Sequence, residues 1–339
     1  MKNPTVRWTI GVVAAILLIV LLRFKPWEKP VKALTVAFIP VTCHLTCPIT
    51  DYASKTTTTG THFDAMRFTE FPSIVESLKS KKLLAGFLTV PLAMKLREQG
   101  APIRICCLGH RDGSQLIIRK ELTAKSLVDL KGMTIAIPSP LSNENFVIRK
   151  VMKDQGLKPT DIKFQVLAPP DMPAALSAKA IDGFIVAEPF CTKSETEGSG
   201  RVLYRAADIW PHYISCCLVA HTDLIKNHPE QIRDLVRGIV ESGEWAETNR
   251  SDAAKLVAPY FRQDAKLLDK ILNATPTRVS YRMLNPTDEE LQKIMDMGIS
   301  IGQLKVKTPI SDIIDRDYIP AEVHAAKVDM AQFTGKVHP

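Results

Sequence analysis

Outside its N-terminal segment, this chain has little net positive charge. Of a formal net charge of +8, residues 1–33 supply +5, because they hold six Lys or Arg residues and a single Glu. The remaining +3 is spread over residues 34–339, without a basic stripe that could follow a phosphate backbone. The composition therefore excludes a nucleic acid as the expected partner.

Aromatic residues are also few, at 6% of the chain. A large apolar ligand needs a pocket lined by aromatic side chains, and only Phe63, Phe71, Trp210 and Tyr213 are placed to contribute to one. Hydrophobic residues at 45% and charged residues at 24% are ordinary proportions for a folded protein. The composition thus favours a folded protein with a small polar ligand over one that binds a lipid or a peptide.

Beyond residue 22, the sequence has no apolar run long enough to span a membrane. The longest apolar run, residues 8–22, has the length of a signal sequence and is slightly short for an ideal span. It follows Lys2 and Arg7, and neither a small-residue cleavage site nor a lipoprotein cysteine lies close behind it. We interpret residues 1–33 as an uncleaved signal-anchor and tether, which would hold a periplasmic or otherwise extracytoplasmic protein to the inner membrane. A cleaved signal peptide is the alternative interpretation.

Neither a zinc-ribbon nor a c-type haem spacing occurs among the seven cysteines. Cys43, His44 and Cys47 form a C-H-x-x-C cluster, and thiolate and imidazole ligands suit zinc, copper or iron. A disulfide between Cys43 and Cys47 and simple packing as small apolar side chains are the alternatives. Two doublets lie on strands expected near one another and near the same loop. The doublets are Cys106-Cys107 and Cys216-Cys217.

A helix–turn–strand unit occurs twice in the sequence. The copies are residues 69–91 and 167–190, and their strands read GFLTVP and GFIVAEP. Strands that alternate with helices along both halves of the chain predict two α/β lobes of similar build. Ligands of open α/β sheets bind beyond the carboxyl ends of the strands. Thr89 and Glu188 are therefore expected to face each other across a cleft.

A predicted helix start lies on the second wall of that cleft. Ser139, Ser142 and Asn143 follow a strand predicted at residues 133–138 and lead into a helix. Free N–H groups of a first helical turn favour an anion, although an N-cap role alone also accounts for Ser142. Glu188 suits an anion less well, since its carboxylate would need a proton, a metal ion or a cationic group beside it.

Four stretches of the chain resemble one known family. They read SLVDLKGMTIAIP at residues 126–138, APPDMPAAL at 168–176, IDGFIVAEPF at 181–190 and DIWP at 208–211. All four are similar to the nitrate/sulfonate/bicarbonate-type substrate-binding proteins of ABC transporters, and the resemblance covers residues 34–261. Proteins that resemble thiamine-pyrimidine synthases share the same fold.

The resemblance implies an α/β fold, a two-lobed periplasmic-binding-protein (type II) clamshell that closes about two hinge crossovers. Lobe one would comprise residues 34–121 plus 222–339, and lobe two residues 122–221. It further implies capture of a small polar anion, such as nitrate, bicarbonate or a sulfonate, for delivery to ABC permease and ATPase subunits. We expect no catalysis and no cofactor, with a divalent metal ion left open.

The resemblance also implies that the first loop contacts the ligand. In this chain that loop holds thiols and an imidazole, so the identity of the ligand does not transfer with the fold. His44 and the cysteine cluster keep a second class open, an enzyme resembling thiamine-pyrimidine synthases; the N-terminal apolar run argues against it, since those enzymes are cytoplasmic. The predicted ligand contacts are Thr42, Cys43, His44, Thr89, Ser139, Ser142, Asn143 and Glu188. We further expect Cys43 and Cys47 at the mouth of the cleft, and the two cysteine doublets on adjacent strands near the hinge.

Overall fold

The computed structural model describes residues 33–56 and 60–335. The predicted signal-anchor and tether, residues 1–33, lie outside the described residues except at Ala33. No helix within the described ranges is long and apolar enough to cross a membrane.

The strands of the described residues form two five-stranded sheets and one short ribbon. In chain order they are β1 (Leu34–Phe38), β2 (Phe63–Arg67), β3 (Ala85–Thr89), β4 (Ile103–Leu108), β5 (Arg111–Asp112), β6 (Ser114–Arg119), β7 (Thr134–Ile137), β8 (Lys163–Val166), β9 (Gly183–Ala187), β10 (Gly200–Arg205), β11 (Cys216–His221) and β12 (Val279–Ser280). The ribbon pairs β5 with β12.

Both large sheets have the same strand arrangement. Sheet one runs β2-β1-β3-β11-β4, and sheet two runs β8-β7-β9-β6-β10 when read from the corresponding edge. In each sheet three parallel strands are followed by one antiparallel strand that arrives from the other lobe. The two predicted strand copies are β3 and β9, which occupy the same central position. The predicted pair of α/β lobes is therefore confirmed.

Helices cover the faces of these sheets, as continuous apolar strands such as β3 and β9 require. In chain order they are α1 (Thr46–Lys55), α2 (Phe71–Lys79), α3 (Val90–Glu98), α4 (Asn143–Asp154), α5 (Met172–Ser177), α6 (Phe190–Thr196), α7 (Ala206–Ile209), α8 (Thr222–Asn227), α9 (Pro229–Thr248), α10 (Arg250–Phe261), α11 (Ala265–Leu272), α12 (Asp288–Ser300) and α13 (Ile310–Ile313). The longest, α9, buries Ile232, Leu235, Val236 and Ile239 at helical spacing against lobe one.

Two crossovers join the lobes and lie side by side. One is residues 109–113, between β4 and β6, and the other is residues 206–215, between β10 and β11. Arg111 and Ile214 form an isolated antiparallel bridge, and the Asp112 N–H donates to the Tyr213 carbonyl at 2.9 Å. These paired segments are the covalent links about which the lobes can rotate.

The lobe boundaries differ by one strand at each crossover from those expected at residues 121 and 222. β6 belongs to sheet two, where it pairs with β9 and β10, instead of continuing β4. β11 belongs to sheet one, between β3 and β4. The reason is that each lobe completes its sheet with a strand that has already crossed from the other lobe, and local sequence pattern does not reveal that exchange.

Candidate functional site

The carboxyl ends of the central strands enclose a cavity between the lobes. It measures about 10 Å³, close to the space that one water molecule needs. Its polar wall consists of Cys43, Thr89, Glu144 and Cys216, and its other lining residues are apolar. Both lobes contribute, because β1 and β3 end opposite β7 and β9.

Hydrogen bonds across the cleft keep this cavity small. The Thr42 N–H donates to the Glu188 carbonyl at 2.7 Å, and the Thr89 hydroxyl donates to the Leu141 carbonyl at 2.6 Å. Each bond joins a residue of lobe one to a residue of lobe two. The structure is therefore that of a closed cleft.

The first loop forms a 3-10 turn, Thr42–His44, that is buried throughout. It packs against the first crossover so closely that a Cβ atom on Gly109 would overlap the Cys43 carbonyl oxygen. The His44 Nδ1 atom lies 2.9 Å from the Ile39 N–H and 3.2 Å from the Ile39 carbonyl oxygen. The backbone of Ile39 thus fixes the orientation of the imidazole through its Nδ1 edge.

Two thiols and the imidazole of this loop come together at one wall of the cavity. The ligand atoms of Cys43, His44 and Cys216 all lie within 4.8 Å of one another, and the three residues are buried. Burial opposes ionisation of Cys216, but hydrogen bonding with Cys43 and the nearby His44 ring outweigh it, so the pKa of Cys216 falls below its usual value. Burial and the Cys216 neighbour raise the pKa of Cys43.

Glu144 supplies the opposite wall from the first turn of α4. Its Oε1 atom accepts hydrogen bonds from Ser114 at 3.0 Å and Ser215 at 2.9 Å, whereas Oε2 is buried without a partner. Burial, together with the charge of Cys216, raises the pKa of Glu144 in spite of these hydrogen bonds and of its own backbone N–H. The Glu144 carboxyl thus occupies the N-terminus of α4, where the sequence predicted that an anionic ligand would bind.

Of the predicted ligand contacts, Cys43 and Thr89 line the cavity, and His44 joins the thiol pair beside it. Thr42 lies next to them, but its hydroxyl is buried without a hydrogen-bond partner and faces the crossover near Gly113. Cys47 is turned away from the cavity into lobe one, where its sulfur lies 3.9 Å from the Val36 carbonyl oxygen. The expectation that Cys47 lies at the cleft mouth is therefore wrong.

The predicted contacts at the start of α4 serve the protein's own backbone. The Ser139 hydroxyl accepts from the Leu141 N–H, and Ser142 is the N-cap, accepting from the Asn145 N–H at 3.2 Å. Asn143 donates its side-chain amide to the Ile214 carbonyl of the second crossover. Asn143 also lines a separate cavity of about 120 Å³ beside Trp210 and α12. These three residues frame the cleft while Glu144 enters it.

Glu188 is completely buried and held by partners within the chain. Its carboxylate accepts from Gln115 at 2.6 Å, from the Thr192 N–H at 2.8 Å, and from Arg278 at 2.9 Å. Burial raises its pKa, and the hydrogen bonds from Thr192 together with Arg278 oppose that shift. The sequence analysis expected Glu188 to need a proton, a metal ion or a cationic group, and Arg278 is that cationic group. Because Arg278 lies ninety residues further along the chain, the sequence pattern did not identify it.

The cysteines carry no disulfide. All seven lie within the described residues, and all are free and buried, which rules out the Cys43–Cys47 disulfide considered from the sequence. The doublets lie on β4 and β11, which are neighbours in sheet one, with Leu218 paired to Cys107. Their expected clustering near the hinge is confirmed, and it brings Cys216 to the first loop.

His110 is a buried crossover residue that sequence reasoning did not select. Both of its ring nitrogens are buried without a partner, and burial, with the nearby His44 as a smaller cause, lowers its pKa to about 3. The imidazole is thus neutral in the closed cleft. Glu144 and Ser215 were also missed, since a carboxylate inside a helix pattern and an isolated serine give no local signal.

A model of the NMT1-like family matches residues 28–259 of this chain. Among curated proteins, the taurine-binding periplasmic protein of Escherichia coli (strain K12) is 26% identical over 186 residues, which cover 54% of this chain and 57% of that protein. The nitrate import ATP-binding protein NrtC of Synechocystis sp. is 26% identical over 189 residues, 51% of this chain and 28% of that protein. The chain thus spans between about a quarter and just over half of such relatives.

Solved structures share the fold. A zinc-bound ligand binding component of an ABC-type import system from Staphylococcus aureus matches with a TM-score of 0.77 at 22% identity, over 84% of this chain and 97% of that one. The periplasmic nitrate-binding protein NrtA from Synechocystis PCC 6803 matches with a TM-score of 0.77 at 16% identity, over 85% and 87%. The resemblance to nitrate-, sulfonate- and bicarbonate-type binding proteins is thereby confirmed. This chain, with about two thirds of its length inside the family match, belongs to the NMT1-like family.

Proposed function

We propose that this protein is the substrate-binding component of an ABC importer, which captures a small polar solute between its lobes without transforming it. The observation that carries this proposal is the cleft itself. Two sheets of identical strand arrangement turn their carboxyl ends towards each other, and both supply polar groups to one buried cavity. The names of the relatives, which are binding and import proteins, support the same class and a location outside the cytoplasm.

Opening of the cleft would break hydrogen bonds between its walls, and the buried ion pair of Arg278 with Glu188 also joins the two lobes. Each described hydrogen bond between the cleft walls, such as those from Thr42 and Thr89, contributes about 1 kcal/mol net, since water replaces it on opening. The crossovers permit rotation of one lobe against the other by small changes in a few backbone angles. A solute that adds contacts to both walls would therefore shift the population towards the closed state.

The proposed solute is a small polar anion, as the sequence predicts, and the protonation state of Glu144 bears on this choice. A small anion would be held by the Thr89 hydroxyl and the Glu144 carboxyl at the cavity wall, while Ser114 and Ser215 hold Glu144 in place. Glu144 must then carry a proton, and its raised pKa works in that direction. A neutral carboxyl donates a hydrogen bond to an oxyanion, whereas a charged carboxylate repels it.

The test is a panel of nitrate, bicarbonate, taurine and an alkanesulfonate, followed by thermal unfolding and small-angle scattering. A true solute raises the unfolding temperature by mass action and reduces the radius of gyration. Thr89→Val should weaken its binding about tenfold, because one charge-assisted hydrogen bond is lost, and Glu144→Gln, which keeps a neutral side chain, should retain it.

Thr160→Val is the matched control, since Thr160 is exposed on a loop of lobe two, and it should leave binding unchanged. If no member of the panel changes either observable, the anion class is wrong. If the radius of gyration also fails to respond to any periplasmic small-molecule extract, the importer proposal itself is contradicted.

A further inference from the structure

We propose that Cys43, His44 and Cys216 form a three-ligand site for one thiophilic metal cation, Zn²⁺ or Cu⁺, at the lobe-one wall of the cleft. The three ligand atoms lie within 4.8 Å of one another in a fully buried cluster. Ligands that share a tetrahedral zinc ion stand about 3.5–4 Å apart, so only small side-chain adjustments are needed. This inference goes beyond the proposed function and does not depend on which solute enters the cleft.

The imidazole gives an independent sign of a ligand. His44 Nε2 is buried and has no hydrogen-bond partner, although an unpaired buried polar atom is costly. On the other side of the ring, Nδ1 lies 2.9 Å from the Ile39 nitrogen and 3.2 Å from the Ile39 carbonyl oxygen. The tautomer decides which of the two hydrogen bonds forms, and metal binding at Nε2 would select the one in which Nδ1–H donates to the carbonyl. That backbone bond would leave the Nε2 lone pair free for a metal, which is the usual outer contact of a metal-bound histidine.

Plain packing does not account for the cluster equally well. Cys217 is the next residue on β11, and as alternate strand residues do, it points to the opposite face, where its thiol donates to the Leu88 carbonyl at 3.5 Å. The Cys216 thiol, by contrast, lies 3.5 Å from the Ser215 hydroxyl, and the ligand atoms of Cys43 and His44 are both within 4.8 Å of its sulfur. The two neighbours thus differ in their surroundings, and Cys217 offers a control.

All three ligands belong to lobe one, which has a direct consequence. Cys43 and His44 follow β1, and Cys216 begins β11 in the same sheet. The site is therefore formed whether or not the cleft is closed. Binding of one Zn²⁺ would form two Zn–S bonds and one Zn–N bond and release the two thiol protons to solvent. Three protein ligands leave a fourth position, and Glu144 lines the same cavity from lobe two.

The experiment uses the full chain, reduced and freed of metal. Zn²⁺ binding is measured by competition with a chromophoric chelator, and Cu⁺ binding by competition with a cuprous chelator under anaerobic, reducing conditions. Co²⁺ is added in a separate experiment, because its charge-transfer absorption reports thiolate ligands. We expect one equivalent of at least one of the two d¹⁰ cations. Cys43→Ala and Cys216→Ala should each weaken binding at least about 100-fold, more than loss of an outer-shell partner does, and Cys217→Ala should retain it.

Variants that fail to fold do not end the test, because alkylation of the wild-type chain with mass mapping gives a second readout. Metal should slow the modification of Cys43 and Cys216 and leave that of Cys217 unchanged. Absence of stoichiometric Zn²⁺ and Cu⁺ binding, binding that survives the Cys43→Ala/Cys216→Ala double change, or equal protection of all thiols would each overturn the proposal. Solute-driven closure, followed by scattering, is a separate readout, so failure of the metal site leaves the importer proposal standing.

Discussion

The two lobes have the same strand arrangement and opposite chemistry at their strand ends. After β1, lobe one presents the thiol of Cys43 and the imidazole of His44 on a buried 3-10 turn. After β7, the equivalent strand of sheet two, lobe two presents the carboxyl of Glu144 on a helix N-terminus. Identical topology thus places different side chains opposite each other. The shared topology therefore fixes where the two loops lie, while their sequences decide which side chains face the cleft.

The central strands differ in the same way. β3 ends in Thr89, whose hydroxyl makes one hydrogen bond across the cleft. β9 ends at Ala187, and the following Glu188 is a fully buried carboxylate that depends on Arg278. The central strand of lobe one therefore ends in a neutral hydroxyl, whose hydrogen bond water can replace. The central strand of lobe two is followed by a buried charge, which needs a partner within the protein. Two predictions examine this difference, and a third examines the crossover that joins the lobes.

The largest effect is expected from Arg278→Met. The change leaves the buried Glu188 carboxylate without its cation, and breaking a buried ion pair in this way costs about 3–5 kcal/mol. The free energy of unfolding, from urea titration, should fall accordingly. Glu188→Gln combined with Arg278→Met should be distinctly more stable than Arg278→Met alone, because no buried charge remains.

Arg282→Met is the matched control for that change. Arg282 pairs with Glu244 at an exposed position, where its side chain is 57% accessible, and exposed pairs contribute less than about 1 kcal/mol. If Arg278→Met were no more destabilising than Arg282→Met, Glu188 would not depend on its cation, and the contrast between the lobes would fail.

A smaller difference is expected between the glycines at the start of the two repeated strands. A Cβ on Gly183 would stand 2.7 Å from the Ile117 carbonyl oxygen, whereas one on Gly86 would meet the Ala37 Cβ at 3.0 Å. Both neighbouring atoms are held by the backbone, so the closer approach at Gly183 decides the order: Gly183→Ala should cost about 2 kcal/mol and Gly86→Ala about half of that. Urea unfolding of both variants measures this, and the reverse order would contradict the geometry.

The smallest expected effect is on the stability of the fold at low pH, and it involves Glu290. Glu290 receives two hydrogen bonds from Arg111 of the first crossover, at 2.6 and 3.1 Å. Burial alone would raise its pKa, but these bonds outweigh burial and lower the pKa below the ordinary value of 4.5. A lowered carboxylate pKa stabilises the fold above the ordinary value, and that contribution is lost as the pH falls through the folded-state pKa.

Glu290→Gln should therefore cost about 1 kcal/mol at neutral pH and flatten the loss of stability below about pH 4.5. Unfolding free energies measured at several pH values for wild type and variant check this. Glu289→Gln is the control, because the Glu289 side chain is 78% exposed. A variant whose acid profile matches that of wild type would show that the crossover does not rely on this pair.

Much of the fold could be predicted from local pattern. The repeated GFLTVP and GFIVAEP strands, the alternation with helices and the N-cap at Ser142 are properties of neighbouring residues, and the structure has all three. The predicted lobe boundaries differ from those of the structure by one strand at each crossover. The sequences of β6 and β11 indicate a strand but do not indicate which sheet the strand joins. The local sequence pattern thus predicts that a strand forms, but it does not determine the neighbouring strand with which it pairs.

The sequence by itself determined two α/β lobes, their family and a first loop with thiols and an imidazole. Only the tertiary structure decided that Cys216, far along the chain, joins Cys43 and His44, because β11 inserts between β3 and β4. It also decided that Glu144 enters the cleft and that Arg278 neutralises Glu188. The physical reason is that helix caps and strand periodicity act over a few residues, whereas these contacts depend on how distant segments pack.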